Sequence, residues 1–167
     1  MSNSAFMSLP KSITTRLEYQ HESLFDLVRG LTDEQIRRQV IPGKWSVFEN
    51  IVHLATYQHE FLQRFHKIMG EENPKLSRYI AESDPLFYDN CTKTTAEIRQ
   101  DLVITRQELV TEIFALNTSD MHRTGEHPVF GKMNIIHWLH FFLLHEAHHL
   151  FTIFKMASAM QYATTDN

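Results

Sequence analysis

Residues that interrupt regular structure are scarce in this chain. It contains 5 glycines and 5 prolines among 167 residues, whereas average usage gives roughly 12 and 8. Few chain breakers favour long regular elements joined by few turns, and they disfavour a sandwich or barrel of many strands. Because the length suits one compact domain, we predict a single domain over residues 1–167.

Apolar residues recur at helical spacing in four segments of about 20 residues each. Two of these segments start with a capping box, Ser46 with Glu49 and Thr94 with Glu97. The pattern predicts an all-α four-helix bundle with two long connections. The four helices are expected over Pro10–Arg29, Ser46–Gly70, Thr94–Asn117 and Asn134–Met160.

The segments that connect the four predicted helices also have recognisable sequence patterns. Leu31–Arg38 is expected to form a short helical turn. Residues 71–92 form a long connector, and a connector of that length in a compact domain is more often functional or lid-like than accidental. A second loop, which contains His122, His127 and Gly131, leads to the last helix.

The last helix is apolar on two roughly opposite sides. The first stripe, which suits the bundle core, is Ile135, Leu139, Leu143, Leu150 and Phe154. One core can use only one stripe, so the second needs a cover, either a second copy of the chain or the 71–92 connector. The second stripe comprises His137, Phe141, Leu144, His148 and Phe151.

Histidine is unusually frequent, with 11 residues, of which seven lie between His122 and His149. Within His145-Glu146-Ala147-His148-His149, the pair His145 and His149 is four residues apart, so both rings lie on one helix face and can share a metal ion. His145 with His148 is an alternative pair, which spacing does not exclude. The string also matches the His-Glu-x-x-His pattern of zinc proteases.

A zinc protease is nevertheless disfavoured, because that motif takes its third ligand from downstream. Only 18 residues follow His149, and they contain no histidine and no glutamate. A third ligand must therefore come from upstream, and His53 is the candidate, since it lies beside the apolar stripe of its helix. The remaining histidines are interpreted as surface, loop, cap or interface residues, with His21, His59, His66 and His122 on the surface.

Charge and composition exclude other classes of protein. The net charge of −4 and the lack of any basic stripe argue against nucleic-acid binding. No segment has the apolar length of a membrane span, and no signal peptide is recognised, so a cytoplasmic protein without a membrane partner is expected. The single Cys91 fits a reducing compartment.

Three segments resemble the DinB/YfiT-like superfamily. They are Trp45-Ser46-Val47-Phe48-Glu49-Asn50-Ile51-Val52-His53-Leu54, then His127-Pro128-Val129-Phe130-Gly131-Lys132, and finally His145-Glu146-Ala147-His148-His149. Their order and the helix lengths also match, so the resemblance covers most of the chain. It implies a four-helix bundle with up-down-down-up topology.

The same resemblance implies a divalent metal, typically zinc or nickel, held by His53, His145 and His149. It also implies a homodimer and a small-molecule substrate, in some members with a low-molecular-weight thiol in an S-transferase or hydrolase reaction. The chain departs from the family at Leu150-Phe151-Thr152-Ile153, where many members carry Gly-Gln. That departure points to an altered substrate pocket or a lost activity.

Two functional hypotheses follow. In the first, three neutral imidazoles leave the metal its full charge, so that it activates a water or thiol. Glu49 is then the candidate residue that orients the ring of His53. Glu146 lies near the middle of the apolar stripe, so it is either paired inside the bundle or a base beside the metal ligands. In the second, the chain is a non-catalytic dimeric bundle that binds a ligand or protein, and the histidines are remnants.

Overall fold

A computed structural model describes residues 9–163, and helices dominate it. The first long helix consists of α1 (Lys11–Tyr19), a 3-10 turn (Gln20–Glu22) and α2 (Ser23–Leu27). The other long helices are α4 (Val47–Gly70), α6 (Thr95–Phe114) and α8 (Ile135–Ala163). The shorter elements are α3 (Asp33–Arg37), a 3-10 turn (Ala81–Ser83), α5 (Pro85–Cys91), α7 (Thr118–Met121), β1 (Thr124–His127) and β2 (Gly131–Asn134).

The helix starts are where the caps predict them. Ser46 and Thr94 both form complete capping boxes, with Glu49 and Glu97 as the reciprocal partners. The Asn134 side chain accepts the backbone N–H of His137 at 3.0 Å, as expected of the residue before α8. The local prediction of the helix starts is therefore confirmed.

The loop before α8 contains a hairpin that the sequence patterns do not predict. Strands β1 and β2 pair antiparallel, from Thr124 opposite Asn134 to His127 opposite Gly131. Gly131 closes the turn with a φ of +69°, a conformation that favours glycine. The connector joins this hairpin, because the N–H of Leu76 donates to the carbonyl of Glu126 at 3.0 Å.

The directions of the long helices follow from the residues that contact each other along each pair. Helices α4 and α6 are parallel, α1/α2 and α8 are parallel, and α4 and α8 are antiparallel. These directions give the up-down-down-up order, and the predicted fold class is confirmed. The diagnostic contacts are Gln58–Leu102 and His66–Glu112, then Arg16–Leu143 and Gln161–Arg29, and finally Asn50–His149 and Phe61–Phe142.

An ion pair lies inside the bundle between α6 and α8. Arg106 is 1% exposed, and its guanidinium donates to the carboxylate of Glu146 and to the side chain of Gln58. Gln20 donates to the other oxygen of Glu146 at 2.8 Å. Of the two alternatives for Glu146, the structure shows the residue paired inside the bundle.

One surface assignment and one core assignment need correction. His21 is buried against Phe25, because the 3-10 turn at this point winds more tightly than an α-helix and rotates the side chain inwards. Phe154, which periodicity places in the core stripe, is 47% exposed.

The second stripe of α8 faces outward except at Phe141, which is half-buried against His127 and Phe130 of the hairpin. Leu144 is 60% exposed and Phe151 61% exposed, so residues 71–92 do not cover it. Between residues 9 and 163, no helix has the combination of length and apolar character that crossing a membrane requires.

Candidate metal centre

The second turn of α4 places His53 in the bundle interior, where it is 4% exposed. Trp45 packs on the ring with a centroid separation of 5.0 Å, and Tyr57 and Tyr79 stack on it at 5.9 Å each. The predicted position beside the apolar stripe is thus covered by aromatic side chains. Their packing holds the imidazole in one orientation toward α8.

His145 and His149 approach His53 from α8. The Nε2 atoms of His53 and His145 are 3.0 Å apart, and the ring centroids of His53 and His149 are 4.4 Å apart. One nitrogen from each of the three histidines lies within 4.8 Å of the others. Among residues 9–163 this is the one group of three or more histidine, cysteine or acidic side chains close enough to hold a metal.

His148 is exposed and is not a member of that group. Its ring meets the ring of His149 edge-on at 5.2 Å, on the outer side of α8. Of the two pairs that spacing leaves open, the structure brings His145 and His149 to His53. The i, i+4 spacing, together with the resemblance, therefore selects the residues that converge.

Asn50 orients His149, and sequence reasoning did not single it out. Its amide N–H₂ donates to the carbonyl of Ser46 at 2.9 Å, which leaves Oδ1 to accept from Nδ1 of His149 at 2.9 Å. The proton of His149 therefore lies on Nδ1, and the lone pair of Nε2 faces the other two rings. Asn50 stands three residues before His53 on the same helix face, which is the signal that could have identified it.

All three imidazoles are neutral at pH 7. Burial, followed by the nearby His149 and His145, lowers the pKa of His53 from 6.5 to about 2. Burial is also the main cause that lowers the pKa of His145 to about 3 and that of His149 to about 4. Neutral imidazole is the form that binds a metal, so protons do not compete for these sites near pH 7.

The arrangement fits a divalent ion. Two nitrogens that each lie about 2.1 Å from one ion are about 3.0 Å apart at a 90° angle and about 3.4 Å apart at the tetrahedral angle. The Nε2 atoms of His53 and His145, 3.0 Å apart, lie at the short end of that range. The buried Nδ1 atoms of both rings have no hydrogen-bond partner within residues 9–163. If both carry the proton on Nδ1, two lone pairs face each other at 3.0 Å, and a cation between them relieves that repulsion.

The two predicted acidic residues have other contacts. Glu49 accepts the backbone N–H of Ser46 at 2.7 Å and so completes the cap of α4. The carboxylate of Glu146 is bound to Arg106 and Gln20. Neither carboxylate has a hydrogen bond to the three histidines. The orienting role of Glu49 and the role of Glu146 as a base therefore stay predictions.

A cavity of about 480 Å³ opens beside the three histidines. Connector residues Tyr79, Ile80, Ala81 and Glu82 line one side of it, and the hairpin residues His127 and Val129 line another. A second cavity, of about 630 Å³, lies on the other side of Trp45 and His149 and has a more apolar lining that includes Val40 and Ile41. The long connector thus forms part of the site.

Three relatives of this chain match most of its length in sequence. YuaE from Bacillus subtilis, which is uncharacterised, is 24% identical over 139 residues, 74% of this chain and 83% of YuaE. A protein from Oceanobacillus iheyensis, provisionally named a metal-dependent hydrolase, is 28% identical over 128 residues, 76% of this chain and 73% of that protein. A second protein of that organism with the same provisional name is 21% identical over 135 residues, 81% of this chain and 78% of that protein.

Solved structures show the same fold. YfiT from Bacillus subtilis, described as a four-helix bundle of unusual topology and provisionally as a metal-dependent hydrolase, superposes with a TM-score of 0.79 at 21% identity. The match covers 93% of this chain and 91% of YfiT. The family model of the DinB superfamily matches residues 16–153. This chain belongs to the DinB superfamily.

Proposed function

We propose that this protein is a metal-dependent enzyme whose divalent ion is held by His53, His145 and His149. The observation that carries the proposal is the grouping of three neutral imidazoles, one nitrogen of each within 4.8 Å of the others, at the edge of a cavity. The provisional names of its relatives as metal-dependent hydrolases support the same assignment. When bound, the ion supplies a positive charge that activates a water or a thiol as nucleophile.

The protein's own residues prepare this site. Asn50 fixes the tautomer of His149, and the aromatic rings of Trp45, Tyr57 and Tyr79 pack around His53 and shield it from water. Low access of water strengthens every charge interaction in the site. Three neutral ligands cancel none of the ion's charge, which suits activation of a nucleophile better than a site with carboxylate ligands.

Zinc or nickel is the proposed metal, since both accept imidazole nitrogen. The proposed substrate is a small molecule that enters the 480 Å³ cavity. The nucleophile is either water, which makes the protein a hydrolase, or a low-molecular-weight thiol, which makes it an S-transferase. Leu150, Phe151 and Thr152 stand where the resemblance places Gly-Gln, and an altered substrate pocket or a lost activity stays the prediction drawn from that departure.

Metal-dependent turnover tests this proposal. The metal-loaded protein is assayed with an activated ester in water and with an electrophile plus cysteine, in parallel with His149→Ala and the matched control His148→Ala. We expect the rate of one reaction to fall by about 100-fold or more in His149→Ala and to remain unchanged in His148→Ala. Equal rates in all three proteins would favour the non-catalytic dimeric bundle instead.

We further propose that the chain forms a homodimer through the second stripe of α8. Leu144 and Phe151, at 60% and 61% exposed, together with Phe154, present apolar side chains that favour burial against a partner. A second copy supplies the matching surface by two-fold symmetry. We expect sedimentation equilibrium to give a dimer for the wild type and a monomer for Phe151→Asp; a monomeric wild type contradicts the proposal.

A further inference from the structure

Two arginines and several further hydrogen-bond donors line the cavity beside the three histidines. Arg64 is paired with Glu60, whereas Arg78 has no ion pair within residues 9–163. Arg64 comes from α4 and Arg78 from the connector, while Glu82 supplies the one carboxylate that residues 9–163 place in its lining. A metal ion held by three neutral histidines adds two further positive charges at the edge of this cavity. Such a lining is costly to desolvate unless an anion neutralises it.

Arg78 is available to a ligand. It is exposed, and it has no hydrogen bond or ion pair within the described part of the chain. Arg64 is held in place, because its Nε donates to Glu60 at 2.6 Å and one amino group donates to the carbonyl of Ser77 at 2.9 Å. Its other amino group has no protein partner among residues 9–163. One arginine is thus anchored and the other free, both at the same cavity.

His127 adds a donor whose tautomer the hairpin fixes. Its Nδ1 accepts the backbone N–H groups of Val129 at 3.1 Å and Phe130 at 3.2 Å, so the ring proton lies on Nε2. Burial and the charge of Arg64 lower the pKa of His127, which keeps the ring neutral. The Nε2–H group has no acceptor within residues 9–163.

Tyr57 is another donor without an acceptor. Its ring lies 4.1 Å from that of His145, and its hydroxyl has no hydrogen-bond partner in the described structure. A phenol hydroxyl carries its proton at neutral pH, so this group can donate a hydrogen bond. The wall of the cavity therefore combines two guanidinium groups, an imidazole N–H and a phenol O–H.

We propose that this cavity binds an oxyanion, a carboxylate or a phosphate group of the substrate, through Arg78 and Arg64. Guanidinium groups pair with such oxyanions through two parallel hydrogen bonds. This inference deepens the proposed function and rests on it, because the anionic group anchors the substrate next to the metal. A neutral substrate would leave these donors unpaired, and the cavity therefore favours an anionic substrate over a neutral one.

The test titrates acetate, inorganic phosphate and neutral acetamide into the full-length protein, both metal-free and metal-loaded. Chemical shifts of the backbone amides near Arg78 and His127 report binding at the cavity. We expect saturable shifts with acetate or phosphate and none with acetamide. Tighter binding of acetate identifies a carboxylate substrate, and tighter binding of phosphate identifies a phosphate ester.

Arg78→Gln is the decisive variant, because the residue is exposed and its loss does not threaten folding. We expect it to weaken oxyanion binding by roughly tenfold, the effect of one charge-assisted contact. Arg38→Gln is the matched control, since Arg38 is exposed, has the same charge and does not line the cavity. Unchanged affinity in Arg78→Gln, or equal shifts with acetamide, overturns the inference.

The metal-free arm separates this inference from the proposed function. Oxyanion binding in a protein that takes up no metal supports the anion site and contradicts the metal-dependent enzyme. Metal binding without any oxyanion binding supports the metal site and contradicts the anion site.

Discussion

Replacing Glu146 with alanine is expected to lower the free energy of unfolding by roughly 3–5 kcal/mol. The substitution leaves the guanidinium of Arg106, which is 1% exposed, as an uncompensated charge inside the bundle. Arg106 keeps its hydrogen bonds to Gln58 and to the carbonyl of Leu17, but neither partner carries a negative charge. Urea denaturation followed by circular dichroism measures the loss.

Two further variants test whether the buried charge causes this loss. Replacing both partners, as Arg106→Met with Glu146→Leu, removes the stranded charge, so this double variant is expected to lose less stability than Glu146→Ala alone. Asp26→Ala is the surface control. It breaks the pair with Arg29, whose side chains are 79% and 68% exposed, and is expected to cost less than about 1 kcal/mol. Similar losses in Glu146→Ala and Asp26→Ala contradict the explanation.

Zinc or nickel is expected to stabilise the folded protein by about 4 kcal/mol when the free metal concentration is 1,000 times the dissociation constant. The folded state holds three converging imidazoles, whereas an unfolded chain holds them apart, so the ion binds the folded state preferentially. His149→Ala is expected to abolish the stabilisation. Thermal unfolding with and without the metal measures it.

Two neighbours of His149 make this second test specific. Asn50→Ala removes the acceptor that fixes the ring of His149, and metal affinity is expected to fall by about 10-fold to 100-fold. His148→Ala removes an adjacent histidine that is exposed and does not join the cluster, so stabilisation by metal is expected to match the wild type. If His148→Ala behaves like His149→Ala, the assignment of the ligands is wrong.

Helices of this bundle could be predicted because their signals are local. The capping boxes at Ser46 and Thr94 need only three residues of context, and both mark helix starts in the structure. The hairpin over 124–134 was missed because its strands have four residues each and contain glycine. The connector adds backbone hydrogen bonds to β1 at Glu126, and a contact between segments so far apart leaves no local pattern in the sequence.

The site was predictable to the extent that its residues share one helix. Spacing places His145 and His149 on one helix face but leaves His145 with His148 open, and the family resemblance decides between them. His53 needed an argument from elimination and the same resemblance. The contacts of Arg106 with Glu146 join residues 40 positions apart, so the sequence could only leave two alternatives for Glu146. Arg78 and His127 reach the cavity through the connector and the hairpin, and only the tertiary structure shows that they meet.

Metal stoichiometry tests the central claim most directly. The full-length protein is saturated with zinc or nickel, freed of unbound metal and analysed for its elements, alongside the double variant His145→Ala, His149→Ala. The three-histidine site predicts about one equivalent per wild-type chain and less than about a tenth in the variant. Less than about a tenth of an equivalent in the wild type, or equal metal content in both proteins, contradicts the claim.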